Sequence, residues 1–231
     1  MILKTAITSL LLTFSIASEC LAATKIVTTN ERKQQLDVVI EKGMARFNGG
    51  GNQYQLINLT TKKIYNVNLG QGVILDASIP PGGHKTEAKI PEIEFKKLGK
   101  GPEIAGFTTI QYQVYANRVL CETLFLSKQA SSKIPAMKKF ITVMGDIAKS
   151  GRGSMTKGAS ACRIAKTEIF DHFAKHGTLM KSVSSRGKVS FEVVKVEKDV
   201  LVDKDYFELP KSLKVTTMKE LMEQMRQRMQ K

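Results

Sequence analysis

Between Glu92 and Ser127 the chain reads EIEFKKLGKGPEIAGFTTIQYQVYANRVLCETLFLS. Its second half constrains the fold more than any other stretch. Ile110, Tyr112 and Val114 alternate with Thr109, Gln111 and Gln113. After Ala116-Asn117, Val119, Cys121, Thr123 and Phe125 alternate with Leu120, Glu122, Leu124 and Leu126. A period of two belongs to a strand, because successive side chains leave opposite faces. Two such runs on either side of an Asn-containing turn predict a β-hairpin. The second run is apolar on both faces, so it is expected to be covered on both. A glycine-punctuated elbow, Gly99 to Gly106, stands in front of the hairpin.

The flanks extend the pattern. Lys25–Thr29, Leu36–Glu41, Met44–Phe47, Tyr54–Leu59 and Ile64–Leu69 read as strands, and Val73–Ile79 as a further strand or an extended loop. Gly49-Gly-Gly-Asn52 and Thr60-Thr-Lys-Lys63 supply turns between them. Then the period changes. Met137, Phe140, Ile141, Met144, Ile147 and Ala148 form one apolar stripe at helical spacing, behind Pro135 near the helix start. A glycine- and lysine-rich linker over 149–158 is expected to be a mobile basic loop. A second helix is expected over about 159–175, ending at Gly177. Strands return at Thr178–Ser185 and Lys188–Lys198, and Asp199–Pro210 reads as extended. In the last helix Thr217 and Glu220 fit a capping box, and Met218, Leu221, Met222, Met225 and Met229 form the apolar stripe. Strands without βαβ alternation, with helices in a block and at the end, define α+β: a curved antiparallel sheet with helices on one face.

The N-terminus has the layout of an export signal. A short basic start precedes the apolar run Ala6–Ala17, which is shorter than the roughly 20 residues a bilayer span needs. Small residues around Cys20-Leu21-Ala22 place the cleavage after Ala22, with residues 23–231 as a single domain. That domain carries a helical insertion at about 133–177 and a Met-rich helix at about 216–231. Lipidation at Cys20 is the alternative; Glu19 stands where that processing wants a small residue. Export places the domain in a periplasm, without a transmembrane span. Two cysteines remain after cleavage, Cys121 and Cys162. In an oxidising compartment they suggest one disulfide tying the hairpin to a helix; two separate buried thiols are the other arrangement.

The net charge of +15 favours anionic partners. Nucleic acid is not among those expected: single-strand binding wants aromatic platforms among the cations, and here there is no Trp and the aromatics fall at core positions. Glu168, His172 and His176 lie at i, i+4 and i+8 on one helix, a spacing that metal ligands can use. Cys162, Ile169 and Phe173 define the buried stripe of that helix, which leaves the histidines expected at the solvent and no metal expected. His84 sits in a Pro/Gly loop with no visible partner. Gly158-Ala-Ser160-Ala-Cys162 lacks the closing glycine of a nucleophile elbow. With no acid–base pair in view, neither an enzyme nor a cofactor is expected.

Three short stretches carry a family resemblance: Lys97-Leu-Gly-Lys-Gly-Pro-Glu-Ile-Ala-Gly106-Phe107 with Gln111-Tyr-Gln-Val114 and the Cys121 strand; Ile57-Asn-Leu-Thr-Thr-Lys-Lys-Ile-Tyr65; and Phe207-Glu-Leu-Pro210 leading into Met218-Lys-Glu-Leu-Met222. Together they resemble a domain-of-unknown-function family of exported bacterial proteins similar to the LolA/LolB-type periplasmic lipoprotein carriers. The resemblance implies a half-open, incomplete antiparallel β-barrel with helices lidding its concave face. It implies a non-enzymatic binding or carrier protein for a lipid or other amphiphile, an anionic lipid included. The expected lining is Leu56, Ile64, Ile110, Tyr112, Val114 and Phe125, with Met218, Met222 and Met225 from the lid. The methionine stripe serves equally as core packing. The alternative function is an envelope interaction module with a filled core, docking on anionic membrane, wall polymer, a secretion assembly or another envelope protein.

Overall fold

A computed structural model describes residues 20–78, 90–151 and 160–229. Its strands are β1 (Cys20–Asn30), β2 (Gln35–Glu41), β3 (Met44–Asn48), β4 (Gln53–Asn58), β5 (Ile64–Asn68), β6 (Val73–Asp76), β7 (Ile93–Lys100), β8 (Ile110–Ala116), β9 (Val119–Ser127), β10 (Thr178–Ser184), β11 (Val189–Asp203) and β12 (Val215–Thr217). Helices α1 (Lys128–Lys133), α2 (Pro135–Gly151), α3 (Ala161–Glu168) and α4 (Phe170–His176) stand between β9 and β10, and α5 (Met218–Met229) ends the chain. The strands form one open twelve-stranded sheet in the order β12-β6-β5-β4-β3-β2-β1-β11-β10-β9-β8-β7. Every named pair is antiparallel except β12 on β6. This is an α+β fold, an unclosed sheet consistent with a curved half-barrel.

The two central elements of the hairpin form as expected. Asn117 and Arg118 both take positive φ, 49° and 66°, which gives a two-residue turn whose twist matches the flanking strands. The alternation Ile93-Glu-Phe95-Lys belongs to a third strand, β7, which pairs with β8 from Ile93↔Ala116 to Lys100↔Ile110. β7 is an edge strand, and Lys96, Lys97 and a bulge before Gly99 blunt it.

Alternation also assigns the two faces of the sheet. One face carries Ile26, Val38, Ile40, Ala45, Ile57 and Ile64, which bury against Met137 and Val143 of α2. The same face continues through Tyr112, Val114, Leu124 and Leu126, which bury against Ile169 and Phe173. The opposite face carries Val39, Leu56, Val67 and Ile74 and is covered by the chain returning after β11, through Phe207, Leu209 and Leu213. Arg46 anchors that return. Its Nη1 donates to the Tyr206 carbonyl at 2.8 Å, and its guanidinium sits 3.6 Å from the centre of the Tyr54 ring.

The helix expected over 159–175 is two helices, α3 and α4, which meet at Ile169. The break lets Phe170 pack against α2 at Gly145, where a Cβ would lie 2.6 Å from the Phe170 Cβ. The Asp199–Pro210 stretch is shorter than expected, since β11 runs on to Asp203 and a 3-10 turn follows at Lys204–Phe207. A short strand, β12, precedes the last helix. The expected cleavage point after Ala22 falls inside β1, where Cys20, Leu21 and Ala22 pair with Asp203, Val202 and Leu201. Residues 1–19, the Pro80–Gly83 loop with His84, and the basic loop from residue 152 onward lie outside the described residues.

A disulfide joins Cys121 to Cys162, with 5.2 Å between their Cα atoms. A β-bulge aims Cys121 at the helix layer. Val114 pairs with Glu122 and Tyr115 with Leu120, which leaves Cys121 without a partner on β8. The closed loop spans 41 residues, so the chain-entropy account gives about 4 kcal/mol of stabilisation. Reduction, or C121S/C162S, is expected to lower stability by up to that amount in denaturant titrations. A second outcome concerns Gly177, at φ +121°, where a Cβ would lie 2.5 Å from the Ser127 carbonyl carbon. Gly177→Ala is expected to cost at least about 2 kcal/mol in the same titration.

Candidate functional site

The expected lining residues do not share one surface. Leu56 lies on the opposite face, buried with Tyr54, Val67 and Phe207. Ile64 packs in the core under α2. Ile110, Tyr112 and Val114 lie beneath α4. Phe125 points away from Leu124 and Leu126 and packs with Ile104 and Phe107 of the elbow. Leu56 and Val114 are each 1 % exposed and Tyr112 4 %, which makes them close-packed core. Met218 and Met222 of α5 are 49 % and 63 % exposed. Met225 lies on the same helix, but its side chain is outside the described residues.

The structure instead leaves part of the helix-covered face open. α2 covers the half of that face holding Ile40, Ala45, Ile57 and Ile64. Across β3–β6 the next rows extend beyond α2, which meets them at Phe47 through Phe140. One row runs Phe47–Gln55–Asn66–Leu75, and the next holds Gln53–Asn68–Val73. Opposed residues in neighbouring strands stand about 5 Å apart, and i, i+2 neighbours about 7 Å. Gln53, Gln55, Asn66 and Asn68 therefore form a two-by-two patch of carboxamides with hydrocarbon on either side. With Leu221 of α5 they border a groove of about 580 Å³. That volume falls in the range of small-molecule sites, roughly 300–1,000 Å³.

The chemistry of the lining is uniform. Gln55 Nε2 donates to Asn66 Oδ1 at 2.8 Å, and Asn68 Nδ2 to Gln71 Oε1 at 3.0 Å. Each carboxamide keeps further donor or acceptor capacity. Phe47 is backed by Phe140 of α2 at 5.3 Å between ring centres. No Lys, Arg, His, Asp or Glu is among the described residues that line the groove. In a chain with 25 % charged residues that is a marked local departure. A shallower depression beside α2, of about 500 Å³, contrasts with it by carrying Lys138 and Lys139. The carboxamides were legible as Gln53-Tyr-Gln55 and Asn66-Val-Asn68. Their polarity sets them apart from the apolar inward positions expected to line a cavity.

The roof is tethered at one end. α5 follows β12, which adds only three residues to β6. Its first turn closes with the expected capping box: Thr217 N donates to Glu220 Oε2 at 2.7 Å, and Glu220 N donates to Thr217 Oγ1 at 3.2 Å. The Thr217 backbone N–H holds the Glu220 carboxyl below the usual range.

A second constellation lies at the other end of the sheet. His172 and His176 do not face solvent, as the helix pattern had implied. Both are half-buried, against Phe95 of β7 and Tyr112 of β8. His172 stacks on Phe95 at 4.2 Å, and Tyr112 Oη meets His176 Nδ1 at 3.3 Å. Burial lowers the pKa of both imidazoles; His172, Lys175, Lys128 and Lys97 lower that of His176 further. Asp171 opposes the shift at His172. Among the described residues no three metal-ligating groups cluster.

No protein-family pattern and no curated protein matches the chain. A crystal structure of MucB shares 9 % identity with it at a TM-score of 0.37. The alignment covers 84 % of this chain and 60 % of that one. This chain therefore spans less than two thirds of that structure's length.

A histidine whose folded pKa is lowered destabilises the fold at acid pH, because the unfolded chain takes up the proton first. Stability is expected to be full above pH 6.5 and to fall below it, down to the lowered folded values. Thermal melts from pH 7.5 to 5 check this. H172F/H176F, which keeps the stacking, should flatten the slope in that window.

Proposed function

We propose that the protein is a non-enzymatic binding protein of the bacterial periplasm that holds an amphiphilic ligand in the groove between β3–β6 and α5. The observation that carries this is the groove itself: an uncharged floor with polar and apolar stripes, under a helix that leaves two methionines exposed. Exposed, adaptable methionines suit a roof that must repack around a guest. The disulfide fits an extracytoplasmic compartment. Among the described residues no helix is long and apolar enough to cross a membrane. The apolar stretch near the N-terminus and the motif likeness to lipoprotein carriers support the same reading. No reaction belongs to it, since carboxamides and hydrocarbon offer no general acid or base at neutral pH.

One observation favours the second reading, an interaction module of the envelope. α2 fills the centre of the curved face with Met137, Phe140 and Ile141, which pack there against Ile57 and Ile64 as a filled core would. On that reading the basic surface docks on a partner and the groove is incidental.

The two separate by measurement. Native mass spectrometry of protein purified from a periplasm is expected to show a bound small molecule, and a fluorescent glycolipid should be taken up saturably. Leu221→Asn, which makes the roof polar, should weaken that uptake about tenfold with little change in melting temperature. A bare polypeptide mass with no uptake, together with a stoichiometric envelope protein in pull-downs, would favour the interaction module.

A further inference from the structure

The geometry points to an uncharged saccharide as the group seated on the carboxamide patch of Gln53, Gln55, Asn66 and Asn68. The inference rests on the reading of the groove as a binding site and names the chemistry of its guest.

Elimination follows from the lining. A phosphate, carboxylate or ammonium on this floor would leave water for a surface that holds no opposite charge among its described residues, and an unpaired buried charge is among the costliest groups to desolvate. In a protein of net charge +15, an anionic head group has many better places to go. A bare acyl chain fails for the opposite reason. It would cover four carboxamides without offering one hydrogen bond, and each amide stripped of water unpaired costs free energy. An extended peptide would bind through its backbone, by adding a strand to an open edge. Here β4 and β5 are interior, with both edges occupied by β3, β5, β4 and β6, so only side chains are on offer.

What remains is a neutral guest with hydroxyl or amide groups on one side and hydrocarbon on the other. A sugar ring has both. A carboxamide presents a donor and an acceptor side by side, and so matches two neighbouring hydroxyls or one acetamido group. Gln53 makes no side-chain hydrogen bond among the described residues, and Gln55 and Asn66 each keep an unused N–H. Phe47 at one end of the row and Leu75 at the other face the C–H surfaces of the ring. Exposed carboxamides spaced across central strands have no role in the core, since Asn66 and Gln53 lie at the surface.

The test titrates the ¹⁵N-labelled full chain, as exported, with the uncharged tetramer of β-1,4-linked N-acetylglucosamine, and in parallel with a fluorescent fatty acid. The expected result is saturable movement of the side-chain amide signals of Gln53, Gln55, Asn66 and Asn68. Q55L and N66L should each weaken binding about fivefold to tenfold at unchanged melting temperature. Fatty-acid uptake that moves these signals, with the sugar silent, overturns the saccharide assignment and leaves the binding function of the groove standing. Silence with both probes overturns both. Saturable sugar binding that Q55L and N66L leave unchanged places the sugar elsewhere and overturns the assignment. Melting temperatures that fall in Q55L and N66L alike turn the comparison to Q53L, at a position free of side-chain hydrogen bonds: weaker binding there supports the assignment, and unchanged binding overturns it.

Discussion

The pairing of β1 with β11 holds this molecule together. Apart from the parallel pairing of β12 on β6, every other neighbour in the sheet is also a neighbour in sequence. β1 to β6 form one meander, and β7 to β11 form another. Among the described strands, the long antiparallel seam from Cys20↔Asp203 to Asn30↔Phe191 is the ladder that joins one meander to the other. Loop closure on this scale costs only about 0.6 kcal/mol more for each doubling of length. A seam of this many paired residues offsets that cost, but only once both meanders exist. Two register shifts within it, after Ala23 and after Val27, bend the joint and let the sheet curve around the helices.

That organisation decides where a groove can form. The four helices α1–α4 stand between β9 and β10 in the chain, so they start at the second meander, and α2 reaches across the seam. α2 is long enough to cover the near rows of the first meander, at Ile40, Ala45 and Ile57, and not the far rows at Gln55 and Asn66. The far rows are the groove. The disulfide fixes α3 to the hairpin at Cys121, and Gly145 lets α4 lie close against α2, so the helix block is anchored from two sides.

Much of this was legible, for identifiable reasons. The hairpin at Asn117, the early hairpin at Thr60–Lys63, the stripe of α2 and the capping box of α5 are local patterns, and local patterns survive folding. The disulfide was legible because the chain has only three cysteines and the cleavage expected after Ala22 would remove one of them. The strand at Ile93–Lys100 was hidden by its lysines, which serve the edge and break the apolar rhythm. The break at Ile169 was hidden because both halves keep one apolar face, and only the approach of Phe170 to Gly145 separates them. The candidate lining failed as a set for a more general reason. Inward-facing and apolar describes a core as well as a cavity, and the sequence cannot say which rows a helix will cover. The rows left open are marked by what a core would not tolerate, and Gln53, Gln55, Asn66 and Asn68 are of that kind.

Floor and roof of the groove also differ in how firmly they are held, and the difference bears on how a guest would enter. The floor is built from β3, β4 and β5, whose other face is sealed by Leu56, Val67, Ile74 and Phe207 and clamped by Arg46 between Tyr54 and Tyr206. Moving it would expose much of a core. The roof hangs from three paired residues and one capping box, with Met218 and Met222 still half in water. Among the described side chains of α5, Met218 and Met222 are exposed already, so lifting that part of the helix costs far less than global unfolding. On the proposed reading, a rigid polar floor would set the orientation of a guest through its carboxamides, and a loosely held roof would bring Leu221 onto the guest's apolar side.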